Sequence, residues 1–197
     1  EISMLLAESP LTLSGTVTEF QTVPRIQAQV RLPDGTLQLS GRWHPDRLVI
    51  DAAELALRGS RVQLSGDVSR NGKRTSQLTL RGVVEPADVH RLPLLQSLSI
   101  EPSQLRGPIA VGLRFNGDLH DWKSATIQGQ LGADDVRVLE VPFTGLRLDI
   151  EQSQRTLRLG LPQARVAEGT CWGEATLEHG AGSTSYQLQL DLTNLQL

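Results

Sequence analysis

What this chain lacks narrows its function first. It has one cysteine, Cys171, so no internal disulfide forms; with no histidine or basic cluster beside it, the thiol reads as an inert core group. Aromatic residues make up 4% of the 197, too few for a platform that stacks sugars or single-stranded nucleic acid. The formal net charge of −3 gives no electrostatic case for nucleic acid or an anionic membrane surface, and the excess of arginine over lysine (only Lys73 and Lys123) reads as a compositional bias, not a phosphate site. No apolar run approaches the roughly 18 residues that cross a bilayer. The chain opens "EISMLLAE", with neither an initiator methionine nor a basic leader, and reads as a segment of a longer protein, with any anchor outside it.

Catalytic groupings are missing too. The histidines (His44, His90, His120, His179) are scattered, without the paired spacing or cysteine neighbours of a zinc site. His120-Asp121 reads as a solvated turn, and Asp134-Asp135 as turn formers. Asp51 and Glu54, three apart in a strand, are expected on opposite faces, which bars a carboxylate pair. "GAGS" at 180–183 lacks the strand-to-helix context and the lysine of a phosphate loop. The expectation is no enzyme, no metal and no cofactor.

Helical periodicity is nearly absent as well, and what replaces it is alternation. In "RIQAQVRL", Ile26, Ala28, Val30 and Leu32 face one way and Arg25, Gln27, Gln29 and Arg31 the other. "YQLQLDLTNL" repeats this with Leu188, Leu190 and Leu192, and "GLRLDI" and "RTLRLGL" do so again. Turn signals at hairpin spacing separate the runs: "PDG" at 33–35, "HPD" at 44–46, "NGK" at 71–73, "GADD" at 132–135 and "HGAGS" at 179–183. About a dozen strands of an antiparallel meander follow. One stretch departs from the rule. Val89, Leu92, Leu95 and Leu98 recur at three-residue intervals beside Pro93, which predicts a short helical segment near 87–98. The chain thus divides into a first meander (1–85), a helical or turn insert (86–106) and a second meander (107–197), one β-groove segment in all.

Inside the strands one phrase recurs. "LTLSGTV" (11–17), "LQLSGRW" (37–43), "VQLSGDV" (62–68), "LTLRGVV" (78–84), "LRFNGDL" (113–119) and "ATIQGQL" (125–131) all read apolar, any, apolar, any, Gly, any, apolar. With 39% hydrophobic residues and 18 glycines, chance supplies this about once, so six copies need a cause. Each glycine falls on the apolar phase, where it removes a packing side chain and weakens the strand. Such a position permits a bend, a bulge or a close backbone approach. Two architectures satisfy the pattern: a closed barrel or sandwich with glycine at its corners, or an open sheet curved about its apolar side. One short helical segment cannot cover a dozen strands, so either the sheet closes on itself or part of its apolar face stays open, and the pattern alone fits both. The fold class is therefore all-β, a curved, mostly antiparallel meander with one apolar face.

The serial "LxLxG" strands, with the segment "PADVHRLPLLQSL…LRGPIAVGLRFNGDLHDWKSATIQGQL", resemble the AsmA-like family of bacterial envelope proteins, which includes TamB. The matching elements are Asp88–Leu92, then Leu105-Arg106-Gly107-Pro108-Ile109, then Gly117-Asp118-Leu119 with Asp121-Trp122. The following "LGADDVRVLEVPFTGLRLDIEQSQRTLRL" resembles the family's recurring short strand, proline turn and long hairpin. The resemblance implies a long curved, gutter-like sheet with an apolar inner face, a non-enzymatic periplasmic groove within an inner-membrane-anchored protein that carries phospholipids between the inner and outer membranes. Implied partners are phospholipid acyl chains and proteins of either membrane.

Phase along the strands gives the expected groove lining: Leu13, Val17, Leu37, Leu39, Trp43, Val62, Leu64, Val68, Leu78, Leu80, Val84, Leu113, Phe115, Leu119, Leu188 and Leu190. The competing expectations are a closed β-sandwich acting as a spacer or adhesin-like module, and a scaffold that recruits partners by strand addition at a sheet edge.

Overall fold

The computed structural model describes residues 2–6, 9–19, 21–69, 75–89, 105–119, 124–138, 141–166, 168–179 and 184–194. They form β1 (Ile2–Leu6), β2 (Ser9–Thr18), β3 (Arg25–Leu32), β4 (Gly35–Trp43), β5 (Arg47–Leu57), β6 (Arg61–Ser69) and β7 (Ser76–Val84). After one helical turn, α1 (Pro86–Val89), come β8 (Leu105–Arg106), β9 (Ile109–Gly117), β10 (Thr126–Val138), β11 (Val141–Ser153), β12 (Thr156–Val166), β13 (Gly169–His179) and β14 (Thr184–Thr193). All fourteen strands belong to one antiparallel sheet whose order follows the chain, except that β8 pairs with the C-terminal end of β10. The sheet is open, with β1 and β14 at its edges, so neither a closed barrel nor a two-sheet sandwich is formed. β7 pairs directly with β9, which joins the two meanders into one curved surface.

Of the helical segment expected near 87–98, the described part is α1; residues 90–104 lie outside the described residues. Asp88 is buried and fastens this turn to the sheet. Its Oδ2 accepts a hydrogen bond from Ser60 Oγ at 2.7 Å, and Ser60 Oγ in turn accepts from the Glu85 backbone N–H at 2.8 Å. Both groups are satisfied, as buried polar atoms must be.

Alternation places the side chains in continuous rows across the sheet. Gly15, Ala28, Leu39, Ala53, Leu64, Leu80, Leu113, Gly129, Ile150, Leu159, Ala175 and Leu188 stand side by side on twelve consecutive strands. One residue over, on the other face, the same strands present Ser14, Gln29, Gln38, Glu54, Gln63, Arg81, Gly112, Gln130, Asp149, Gly160, Glu174 and Gln189. In these two rows one face is apolar and the other is polar or glycine. A one-residue slip in any strand would invert it, so burial of the apolar face sets the register.

Two expectations fail at irregularities. β5 carries a bulge at Asp51-Ala52, because Ile50 pairs with Gly41 and Gly66 while Ala53 pairs with Leu39 and Leu64. The extra residue brings Asp51 onto the same polar face as Glu54, contrary to simple alternation. They still form no carboxylate pair. Arg42 holds Asp51 in a two-pronged contact (Nη2 2.6 Å, Nε 3.2 Å), and Glu54 takes Arg61 at 3.0 Å and Gln63 at 3.3 Å. The Asp51 carboxylate, by hydrogen bond and charge, pushes the Arg42 pKa up. "GADD" is likewise no turn. β10 runs straight through it, with Ala133 opposite Leu146 and Asp135 opposite Thr144. Ala133 and Val136 are both buried while Asp134 and Asp135 are exposed, so the strand changes phase there, opposite Gly145 at φ +66°.

The six repeat glycines share one environment. A Cβ on Gly15 would meet Gln27 O at 2.8 Å; on Gly41, Val49 O at 2.6 Å; on Gly82, Val62 Cα at 2.7 Å. On Gly117 it would meet Ala125 Cα at 2.7 Å, on Gly129 Leu113 Cα at 2.8 Å, and Gly66, at φ +133°, is crowded by Gln77 and Leu78. The obstacle is the backbone of the adjoining strand at five of them and, at Gly117, Ala125 just before β10; none of these can swing aside. Glycines of the polar row behave differently: Gly112 has open space and Gly160 only an ordinary contact at 3.6 Å. Glycine is therefore required on the apolar face, where the curved sheet brings neighbouring backbones together. Gly82→Ala is expected to lower the chemical-denaturation midpoint, at a cost of about 1–3 kcal/mol. Gly160→Ala should leave stability unchanged or raise it by about 0.5–1 kcal/mol. Equal losses at the two positions would contradict this assignment.

Candidate functional site

The register gathers fifteen of the sixteen expected lining residues onto one face. Leu39, Leu64, Leu80, Leu113 and Leu188 lie in the row that starts at Gly15. Val17, Leu78 and Phe115 occupy the next row, with Ile26, Ile50, Ile127, Leu157, Leu177 and Tyr186. Leu13, Leu37 and Val62 make a third with Val30, Leu55 and Val111. Trp43 and Val68 flank Leu48, Val84 stands opposite Ile109, and Leu190 opposite Gly173. Leu119 is the exception: β9 ends at Gly117, and Leu119 lies exposed beyond it.

Residues outside the glycine motif complete the face. Ala28, Ala53, Ile150, Leu159 and Ala175 are as much a part of it as Leu64. Their signal is plain alternation, as in "RIQAQVRL" and "GLRLDI", without the glycine that marked the others. The one polar intrusion in these rows is Gln152, buried between Ile127 and Leu157.

This face is not a packed interior. Among the described residues no leucine and no aromatic side chain is buried, although roughly a sixth of the chain is leucine. The buried apolar set is Ile50, Ala53, Val62, Val84, Ala125, Ala133, Val136, Ala164, Val166 and Cys171. Leu13, Leu37, Leu39, Leu64, Val68, Leu78, Leu80, Leu113 and Phe115 are half-buried. Toward the edges the face opens. Val17 and Trp43 are exposed, and β14 turns Tyr186 (83%), Leu188 (69%), Leu190 and Leu192 to solvent. A leucine in a close-packed core would be sealed on all sides. These are walled in by their strand neighbours and left uncovered above.

No family model, curated protein or solved structure matches this chain.

What the face can do follows from its chemistry. At the strand spacing of about 4.8 Å, a row crossing twelve strands runs about 50 Å. One acyl chain spans about 15 Å, half the hydrocarbon thickness of a bilayer. Glycine and alanine between leucines leave recesses, and almost nothing on the face demands a hydrogen bond. Such a surface takes up flexible hydrocarbon without fixing its orientation. Among the described residues no group of three His, Cys, Asp or Glu side chains could hold a metal ion, and no helix is long and apolar enough to cross a membrane.

Cys171 is 2% exposed, on β13 between Ala164 and Leu192, and burial pushes its thiol pKa up from 9.0. The folded chain then keeps a proton that the unfolded chain releases, so this stabilising term is present at neutral pH and fades as pH rises beyond 9. A thiol reagent at neutral pH should therefore leave native Cys171 unmodified and titrate one thiol in denaturant. Rapid modification of the native chain would contradict the packing of β12–β14.

Proposed function

We propose that this chain is a non-enzymatic segment of a β-groove that holds phospholipid acyl chains against its apolar face. The observation that carries the reading is the uncovered leucine surface: twelve strands share one apolar row, and no described leucine in it is buried. Exposed apolar surface costs about 25 cal/mol per Å² in water, and patches of this extent mark binding sites. At about 0.8 kcal/mol per buried methylene, one sixteen-carbon chain would gain on the order of 10 kcal/mol gross. The resemblance of the serial "LxLxG" strands to the AsmA-like family supports the further reading that the groove lies in the bacterial periplasm, within an inner-membrane-anchored protein that moves lipid between the two membranes.

A second reading rests on β14. Its apolar row is the most exposed of all, and its outer edge lacks a hydrogen-bonded neighbour among the described residues, so strand addition by a protein partner fits there.

Native mass spectrometry of protein purified without detergent, with lipid extraction of the same sample, separates these readings. Adducts of phospholipid mass are expected. Leu64→Asp should abolish them while Gln63→Asp does not. Leu188→Asp, at a position too exposed to matter for packing, should weaken them relative to Gln187→Asp. Equal lipid loading in both sets, or a clean mass that stays unchanged after incubation with liposomes, would overturn the groove. Defined dimers without lipid would favour strand addition.

A further inference from the structure

The polar face carries a site of its own. Around Gly112 the sheet forms a depression of about 620 Å³, and three arginines from three strands border it: Arg81 on β7, Arg114 on β9 and Arg147 on β11. Register explains the recess. Arg81 stands directly opposite Gly112, and Arg147 directly opposite Gly132, so two of the positions between the arginines carry no side chain. At Gly112 a Cβ would meet nothing within 4 Å, and at Gly132 it would lie 2.9 Å from Arg147 Nη1. The missing Cβ of Gly132 thus lets the Arg147 guanidinium lie down on the sheet, while Gly112 leaves the centre empty.

The charge of this recess is unusual for the molecule. Several arginines elsewhere on the sheet are matched to acids: Arg25 with Glu19, Arg42 with Asp51, Arg58 with Asp34 and Arg61 with Glu54, all within 3.2 Å. Among the described residues Arg81 and Arg114 have no acid within ion-pair range, and Arg147 reaches only Asp134, a solvated carboxylate 3.8 Å away. One acid, Asp149, lines the recess, and it is occupied by Gln130, whose Nε2 donates to Oδ1 at 2.8 Å. Three guanidinium forks facing one carboxylate leave a local formal charge of +2, in a chain whose net charge is −3.

We propose that this recess binds a phosphate group, held by Arg81, Arg114 and Arg147 above the glycine floor. Guanidinium forks match phosphate oxygens in geometry and charge, and sharing one anion relieves the mutual repulsion of the three cations. The group comes from a lipid headgroup at a membrane surface or from a soluble phosphorylated molecule. In either case the site lies on the face opposite the acyl groove and does not depend on it.

The test is a titration of the full chain with inorganic phosphate, followed by the Nε–Hε signals of its arginines in NMR. Saturable shifts are expected at Arg81, Arg114 and Arg147, and not at the acid-paired Arg42 or Arg61. Arg81→Gln and Arg114→Gln should each weaken the fitted affinity by roughly tenfold, the loss of one charge-assisted contact. Arg61→Gln and Leu64→Asp should leave it within about twofold. Sedimentation with phosphatidylglycerol vesicles distinguishes the sources: loss of sedimentation in the Arg81→Gln/Arg114→Gln variant identifies a headgroup, and saturable phosphate shifts without sedimentation identify a soluble ligand. Linear, unsaturable shifts spread evenly over all arginines would overturn the proposal, as would phosphate affinity unchanged in both variants.

Discussion

A sheet that curves toward one face crowds everything on that face, and the rest of this molecule follows from how the crowding is relieved. Gly15, Gly41, Gly66, Gly82 and Gly129 stand where the backbone of the next strand has moved into the space of a Cβ, and at Gly117 Ala125 fills that space. Glycine costs a strand packing surface and conformational entropy. Here that loss is offset by a curved wall on which leucines can line up across a dozen strands. Curvature and apolarity are therefore one design feature. The residues that bend the sheet are interleaved with the residues that make the face hydrophobic, in the same seven-residue phrase.

The two faces solve opposite problems. The polar one is built to stay in water, with Gln63 bonded to Glu54, Gln130 to Asp149 and a scatter of ion pairs. Each exposed pair is worth little by itself, but together they keep twelve strands from stacking polar face to polar face. The apolar one is half-finished by any measure of a core. No described leucine or aromatic side chain is buried, unlike a packed interior, and Ile50 is the largest apolar side chain that is. A chain that is one-sixth leucine and leaves those leucines uncovered has an apolar surface still open to a ligand, which the proposed reading fills with acyl chains. Loosely ordered hydrocarbon satisfies it without requiring jigsaw fit.

Much of this was legible from the sequence because alternation is a local code. Period two assigned the face of Leu64, Leu80 and Leu113, and the phase of the glycines marked the curved side. Features that depend on pairing between strands were not legible. Nothing in "VIDAAEL" announces the bulge that turns Asp51 and Glu54 to the same side. "GADD" has turn composition but sits inside β10, because Gly145 across the ladder absorbs the irregularity. The turn at Gln154-Arg155 escaped notice since both residues take positive φ without glycine or asparagine to signal it. The phosphate recess is the extreme case. Arg81, Arg114 and Arg147 are far apart in the chain, and only register brings them around two empty positions.

The central claim is that the apolar face is open to hydrocarbon along its length. Site-specific photo-crosslinking tests it most directly, with benzoylphenylalanine at Leu39, Leu80, Leu159 or Leu188 and, as polar-face counterparts, Gln38, Arg158 or Gln187, in protein incubated with phospholipid vesicles. The account predicts lipid adducts at all four apolar positions, from β4 to β14, and none at their neighbours one residue away. Adducts on both faces alike, or on neither, would contradict it.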